Sequence, residues 1–296
     1  MNLSDHLISS LSHVQEKRRA SFFPMTIGQE MPKEFEKYPN KLTAYAKTFF
    51  GFGTWKADCW LIGIEEHGAA TLDEFSRRYQ AWKKLKSNEG LLDLSTFLDK
   101  AHLSFEPGNS TWKALNKICL CSCCQTDDLD DWPQIKPASD LHGWGRSNAG
   151  RKPRVALIEA MPFASPSTKD WPYKEWDFEF MKNREDCGSQ FLPERSQIIA
   201  DKFRQHKPKT VITYGSAFSY HPGLDIRGWI SRVGNLPAAR WEQFPIANGT
   251  KRKVTVFLKK VKWRSGKPSL IVFIPQPRYW GASVPADIGK QISVRQ

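Results

Sequence analysis

Two carboxylates and an imidazole stand together as Glu65-Glu66-His67, directly after the uncharged apolar run at residues 60–64. A carboxylate in that place can position or deprotonate a water molecule, with its neighbours as understudies. Three more segments of the chain pass from an apolar stretch to a polar group. Glu159 closes the run at 155–158, and a loop rich in Pro and Ser follows it with Ser165 and Ser167. Gly215-Ser216 follows the β-branched stretch at 210–214, and Gln276-Pro277-Arg278-Tyr279-Trp280 follows residues 269–274. Together these side chains suit water activation, hydrogen bonding to a flat polar ligand, and contact with phosphate.

Short apolar runs bounded by glycine or proline predict buried strands. The stretches between them are long enough for crossover helices, so the strands pair in parallel and their exits face one way. In an open α/β sheet, ligands sit beyond those exits. Neighbouring strands lie about 4.8 Å apart, so one site assembled from all four exits is geometrically reasonable. Helical spacing marks residues 3–20, 71–100 (Thr71 as cap and Glu74 three residues on), 109–125 and 191–206, with a shorter candidate at 42–49. Residues 254–263 and 269–274 predict a hairpin turning at 264–268. The expected fold is α/β, three-layer α/β/α, with a central, mostly parallel sheet of four to five strands. Residues 1–55 are expected to form an N-terminal helical extension and 56–296 the α/β domain.

The 296 residues hold 44 Lys plus Arg against 31 Asp plus Glu, a formal charge of +13. Such an excess suits a polyanionic partner, nucleic acid first. The helix predicted at 71–100 is densest in cations, with Arg77, Arg78, Lys83, Lys84 and Lys86. It is either a solvated face or one turned to DNA. Twelve tryptophans and eighteen phenylalanines supply rings that can stack on bases, although most belong to a core. No apolar run reaches the roughly 18 residues that a bilayer span needs, and the first residues lack the pattern of a secretory signal. Cys119, Cys121, Cys123 and Cys124 do not match the paired spacing of zinc or haem sites, and four thiols within six residues cannot easily wrap an iron–sulfur cluster. They are expected to be free thiols packed as small hydrophobes in a cytoplasmic protein.

In the order of these motifs, the chain resembles the uracil-DNA glycosylase superfamily over about residues 56–285. Gly63-Ile64-Glu65 matches the loop that handles the attacking water, and Leu157-Ile158-Glu159 the strand that reads the base. Tyr214-Gly215-Ser216 matches the Gly-Ser turn, and Gln276-Pro277-Arg278 the last loop before the wedge. The resemblance implies a DNA glycosylase that extrudes a nucleotide and hydrolyses its N-glycosidic bond, leaving an abasic site. It acts as a monomer on double- or single-stranded DNA, with no metal and no cofactor. It assigns Glu65, backed by Glu66, to the water and Gln276 to the base's O2 as negative charge builds on the leaving group. Glu159 and His67 contact the base; Ser165, Ser167, Ser216 and Arg278 contact DNA; Tyr279 or Trp280 serves as the wedge.

Three positions depart from the family: Glu65 replaces Asp or Asn, Glu159 replaces the base-reading Asn, and Gln276 replaces His. An amide both donates and accepts, whereas an ionised carboxylate only accepts. Against O4 of uracil, Glu159 sets acceptor on acceptor; against N4 of cytosine it meets a donor. The expected substrate is therefore a cytosine-type base rather than uracil; the resemblance implies a modified one, with a phage's hypermodified DNA as one source and antiviral defence as one setting. Two other functions fit the same residues. Glu65, Glu66 and Glu159 could gather Mg²⁺ for a nuclease. The substituted positions equally suit a non-catalytic binder of nucleic acid or modified bases.

Overall fold

The run after residue 58 forms strand β2, Cys59–Gly63, and all of it is buried. A strand apolar on both faces needs cover on both, which the middle of a parallel sheet supplies. The computed structural model describes residues 39–64, 71–85, 90–103, 110–123, 155–165, 171–174, 176, 178–214, 241–247, 253–275, 280 and 283–296. The helix expected at 3–20 lies outside them.

Besides β2, the strands are β1 (Gly51–Phe52), β3 (Leu91–Leu92), β4 (Val155–Glu159), β5 (Thr210–Tyr214), β6 (Glu242–Ala247), β7 (Lys253–Val261) and β8 (Ser269–Ile274). They form one eight-stranded sheet in the order β3-β1-β4-β2-β5-β8-β7-β6. The centre, β4-β2-β5-β8, is parallel throughout. β7 runs antiparallel to β8 as the expected hairpin, and β6 extends it.

The sheet is thus larger than the four to five strands expected. β1 and β3 have two residues each, too few to show a period of two. β6 contains Pro245, which argues against an interior strand, but β6 is an edge strand, where a missing N–H is tolerated. Nor does the core begin at residue 56. β1 pairs with both β3 and β4, and the preceding helix α1 (Pro39–Thr48) sends Leu42, Tyr45 and Ala46 into the main hydrophobic cluster.

The stretch expected to be helical over 71–100 is two helices, α2 (Leu72–Leu85) and α3 (Leu94–Ala101), separated by β3. Gly90, at a φ of 78°, turns the chain into β3, and Asp93 caps α3 by accepting from Thr96 N–H at 2.8 Å. Thr71 caps α2 as expected, its Oγ1 accepting from Glu74 N–H at 3.1 Å. Helix α4 (Ser110–Cys123) follows. Helix α5 (Arg184–His206) starts at Asn183, whose side chain accepts from Asp186 N–H, and ends where Lys207 turns left-handed before Pro208. Helix α6 (Val284–Arg295) closes the chain.

Alternate strand residues feed two cores. Cys59 and Leu61 of β2 join the cluster that includes side chains of α1 to α4 and α6, while Trp60 and Ile62 join the one holding Ile199 and Phe203 of α5. Cys119 and Cys121 are buried and form no disulfide, and Cys119 Sγ lies within hydrogen-bonding distance of Cys59 Sγ, at 3.6 Å. Among the described residues, no helix is long and apolar enough to cross a membrane.

One glycine fixes how β1 enters the sheet. Gly51 has a φ of 116°, and a Cβ on it would sit 2.2 Å from the carbonyl oxygen of Leu157 in β4. Backbone cannot yield as a side-chain tip can. Gly51→Ala is therefore expected to destabilise the protein by about 2 kcal/mol, from left-handed strain plus the clash. Urea unfolding followed by tryptophan fluorescence measures it. A change within about 0.5 kcal/mol, the usual range for surface substitutions, would refute this account of β1.

Candidate functional site

The four parallel strands end side by side on Glu159, Gly63, Tyr214 and Ile274. Gly63 is in register with Glu159, and Tyr214 with Ile274. At the usual strand spacing the row spans roughly 15 Å.

Glu159 is the best-defined member. Its residue is 2 % exposed, an expensive place for a carboxylate unless surrounding groups compensate. Its backbone is held on both sides. The N–H donates to Phe50 O at 2.9 Å, and the C=O accepts from Arg195 Nη2 at 2.6 Å. The chain beyond it continues the ladder with β2, Ala160 N–H donating to Gly63 O at 3.0 Å and Met161 N–H to Ile64 O. A Cβ built on Gly63 would lie 3.1 Å from Glu159 Oε2 and 2.7 Å from the Tyr214 hydroxyl. Both polar tips therefore crowd the space over Gly63. Glycine at the end of β2 is what lets them come so near.

Arg195 supports this exit from behind. It is fully buried in α5, and its guanidinium donates to the carbonyls of Ala46, Phe49, Glu159 and Ala160. It also stacks over the Phe50 ring at 4.4 Å. Burial lowers its pKa to about 10, opposed by the pull of Tyr45, Cys187 and Glu159.

The Pro/Ser loop after β4 is core at its start. Phe163 is wholly buried against Tyr45, Phe75, Tyr173 and Phe191. Ser165, expected to touch DNA, is 1 % exposed, and its Oγ accepts from Arg184 Nη2 at 2.7 Å. That role is corrected: a hydroxyl so enclosed cannot reach a phosphate. Trp280 is half-buried and packs on the main cluster, so at least part of its ring serves the core. The remaining expected residues, Glu65, Glu66, His67, Ser167, Ser216, Gln276, Arg278 and Tyr279, lie outside the described residues. The structure thus gathers Gly63, Glu159 and Tyr214 at one end of the sheet.

The basic helix is only partly a cationic face. Arg78 is buried and donates twice to Glu74 Oε1, at 2.8 and 3.1 Å. Arg77 bonds Asp73 and the carbonyl of His102. Lys83 and Lys84 are exposed, and Lys86 lies outside the described residues. Two of those five cations, Arg77 and Arg78, therefore hold α2 to itself and to the end of α3. On β7, Lys259 is buried beneath the Trp241 ring at 5.7 Å, and desolvation lowers its pKa.

No family model, no curated protein and no solved structure matches this chain. The site has to be understood from its own geometry.

Three residues escaped the sequence reading. Gly63 and Tyr214 stand in the sequence only as parts of motifs, yet their side chains, or the lack of one, shape the space beside Glu159. Arg195 carried a usable signal. It interrupts the apolar positions Phe191, Ile199 and Phe203 at helical spacing, where a charge requires a buried purpose.

Proposed function

We propose that this protein is a DNA glycosylase, similar to the uracil-DNA glycosylase superfamily, acting on a modified cytosine-type base. One observation carries the reading: a buried carboxylate held at the exit of a central parallel strand, flanked by the exits of the adjacent strands. A carboxylate there is an acceptor without solvent competition, suited to the exocyclic amine of a base turned out of the stack. The formal charge of +13 supplies attraction to the phosphates that offsets the few kcal/mol of unstacking.

In this mechanism Glu159 accepts from the base amine, and Glu65 directs water at C1′ as the glycosidic bond stretches. The electron pair of that bond leaves with the base, and Gln276 donates to its O2. The water's proton passes to Glu65, and its oxygen bonds C1′, leaving an abasic site. Every step uses side-chain acids, amides and water.

The test is incubation with DNAs carrying cytosine, modified cytosines or uracil, with Mg²⁺ and separately in excess chelator, with mass spectrometry of the released bases. Release of a cytosine-type base, with abasic sites that break on heating in alkali, is the expected result. Strand breaks that disappear with chelator and no free base would instead identify a metal-dependent nuclease. Binding to DNA with neither product would identify a non-catalytic reader.

A further inference from the structure

We propose that the end of the sheet opposite the candidate site is a second DNA-binding surface, one that holds the sugar–phosphate backbone of a separate duplex. The inference rests on the DNA-binding part of the glycosylase reading and adds a second DNA segment to it. Strands β2, β5 and β8 enter the sheet side by side. Thr210 N–H donates to Asp58 O at 3.0 Å, and Leu270 N–H donates to Lys209 O at 3.0 Å. The turn between β7 and β8 lies at the same end, since Val261 pairs with Ser269. The segments 56–58, 207–209 and 262–268 hold Lys56, Lys207, Lys209, Lys262, Arg264 and Lys267 against one acid, Asp58. All six cations are exposed, and among the described residues none of them pairs with a carboxylate.

These charges stand on a fixed frame. Trp263 Nε1 donates to Ser269 Oγ at 2.8 Å, and that hydroxyl donates to Pro208 O at 2.6 Å. Lys207 Nζ donates to Ser265 O at 3.2 Å and lies 5.7 Å from the centre of the Trp263 ring. The hairpin turn is thus tied to the connection between α5 and β5. Like charges gathered this way repel, and a polyanion relieves the repulsion. Spread over three strand entries, about 10 Å across, they suit a row of phosphates rather than one. The half-buried Trp263 packs 5.1 Å from the Phe203 ring and under Lys207, so it offers no open face for a base. Contact is therefore with the backbone, which carries no sequence information. None of these segments exposes a large apolar side chain, the second signal that stable anchoring on lipid requires. Strands β2 and β5 have five residues each, which sets entries and exits about 15 Å apart. Duplex DNA, with a persistence length of about 50 nm, cannot fold back over so short a distance. A duplex at the exits leaves the entries to a separate stretch.

The experiment measures bridging. A biotinylated duplex is fixed to beads, the 296-residue chain is bound to it, and capture of a second, fluorescent duplex is titrated. Anisotropy reads the binding of one duplex in solution. The wild type is expected to capture. Arg264→Ala combined with Lys267→Ala changes two exposed turn residues and should fold as the wild type does. It should weaken capture on the order of 10- to 100-fold at about 0.1 M salt, the worth of two phosphate contacts, and still bind a single duplex. Lys209→Ala should give a smaller loss of the same kind. Lys100→Ala combined with Lys290→Ala removes as much exposed charge from α3 and α6 and should capture normally. A wild type that binds one duplex but captures no second overturns the inference and leaves the glycosylase reading standing. A turn variant capturing within twofold of the wild type does the same. Equal losses in both double variants mark an effect of net charge and also overturn it. So does a turn variant that loses single-duplex binding, which would make the entries the sole DNA site, or a wild type that binds phosphatidylserine vesicles in place of duplex. A wild type that binds no duplex at all overturns both readings. Capture that depends on the turn, without release of any base, upholds this inference and removes the glycosylase one.

Discussion

Glu159→Gln is expected to reduce release of a cytosine-type base by about 100-fold while uracil loses far less or gains. The substitution preserves shape and changes only hydrogen-bonding character. A carboxylate accepts at every oxygen, whereas an amide offers donors on one side and can satisfy the O4 of uracil. A matched edge is worth about 1–3 kcal/mol of discrimination, and the expected loss sits at the upper end because the position is almost wholly shielded from water. Stability should hold or rise, because a neutral amide is cheaper to bury than a carboxylate. Measuring both properties on one preparation separates the roles. A drop of several kcal/mol in unfolding free energy, with unchanged base preference, would make Glu159 a structural ion and remove the observation on which the function rests.

Arg195→Met should cost about 4 kcal/mol or more, and by that route lower the melting temperature on the order of 10 °C. Methionine fills much of the space but donates nothing. Ala46 and Phe49 lie at the C-terminal end of α1, where helix carbonyls lack intrahelical partners, and Phe50 N–H is turned away to Gly90 O. Arg195 caps that end and the exit of β4 with one guanidinium. Each buried acceptor stripped of its donor costs about 1–3 kcal/mol. Arg195→Lys keeps the charge but cannot span four carbonyls, so it should restore only a minor part. The pH dependence has a definite sign. Folding depresses the pKa of Arg195 to about 10, so the native state sheds its proton before the unfolded chain does. The linked stability is present above the ordinary arginine value and is lost as pH falls towards 10. From pH 5 to 9 both states are protonated, and the wild-type minus Arg195→Met difference should be flat. Thermal melts across that range check it; a slope would mean another titrating group governs the contact.

Local chemistry was enough for the central strands. The runs at 59–63, 155–159, 210–214 and 269–274 are short, apolar and bounded by glycine, proline or charge, and each forms a strand close to its expected limits. Their parallel pairing follows from the lengths between them. The Thr71 cap, the helix at 110–123 and the hairpin were legible for the same reason: their signals lie within a few residues of one another. Neither the width of the sheet nor the break at Gly90 was, since two-residue strands exist only because a neighbour pairs with them.

The candidate site divides along the same line. Glu159 stood out in sequence because a carboxylate at the end of an apolar strand is conspicuous anywhere. Ser165 looked available because seryl-prolyl loops are commonly at the surface, and only its packing under Arg184 shows it enclosed. Tyr214 and Gly63 had no individual signal at all. Their importance is a distance across three adjacent strands, and residues 63, 159 and 214 become neighbours only when the sheet closes. Sequence thus determined which segments become strands and where a buried charge must be accommodated, since those depend on near neighbours along the chain. The tertiary structure alone decided which polar tips share a space, since that depends on strand order and register between segments tens of residues apart.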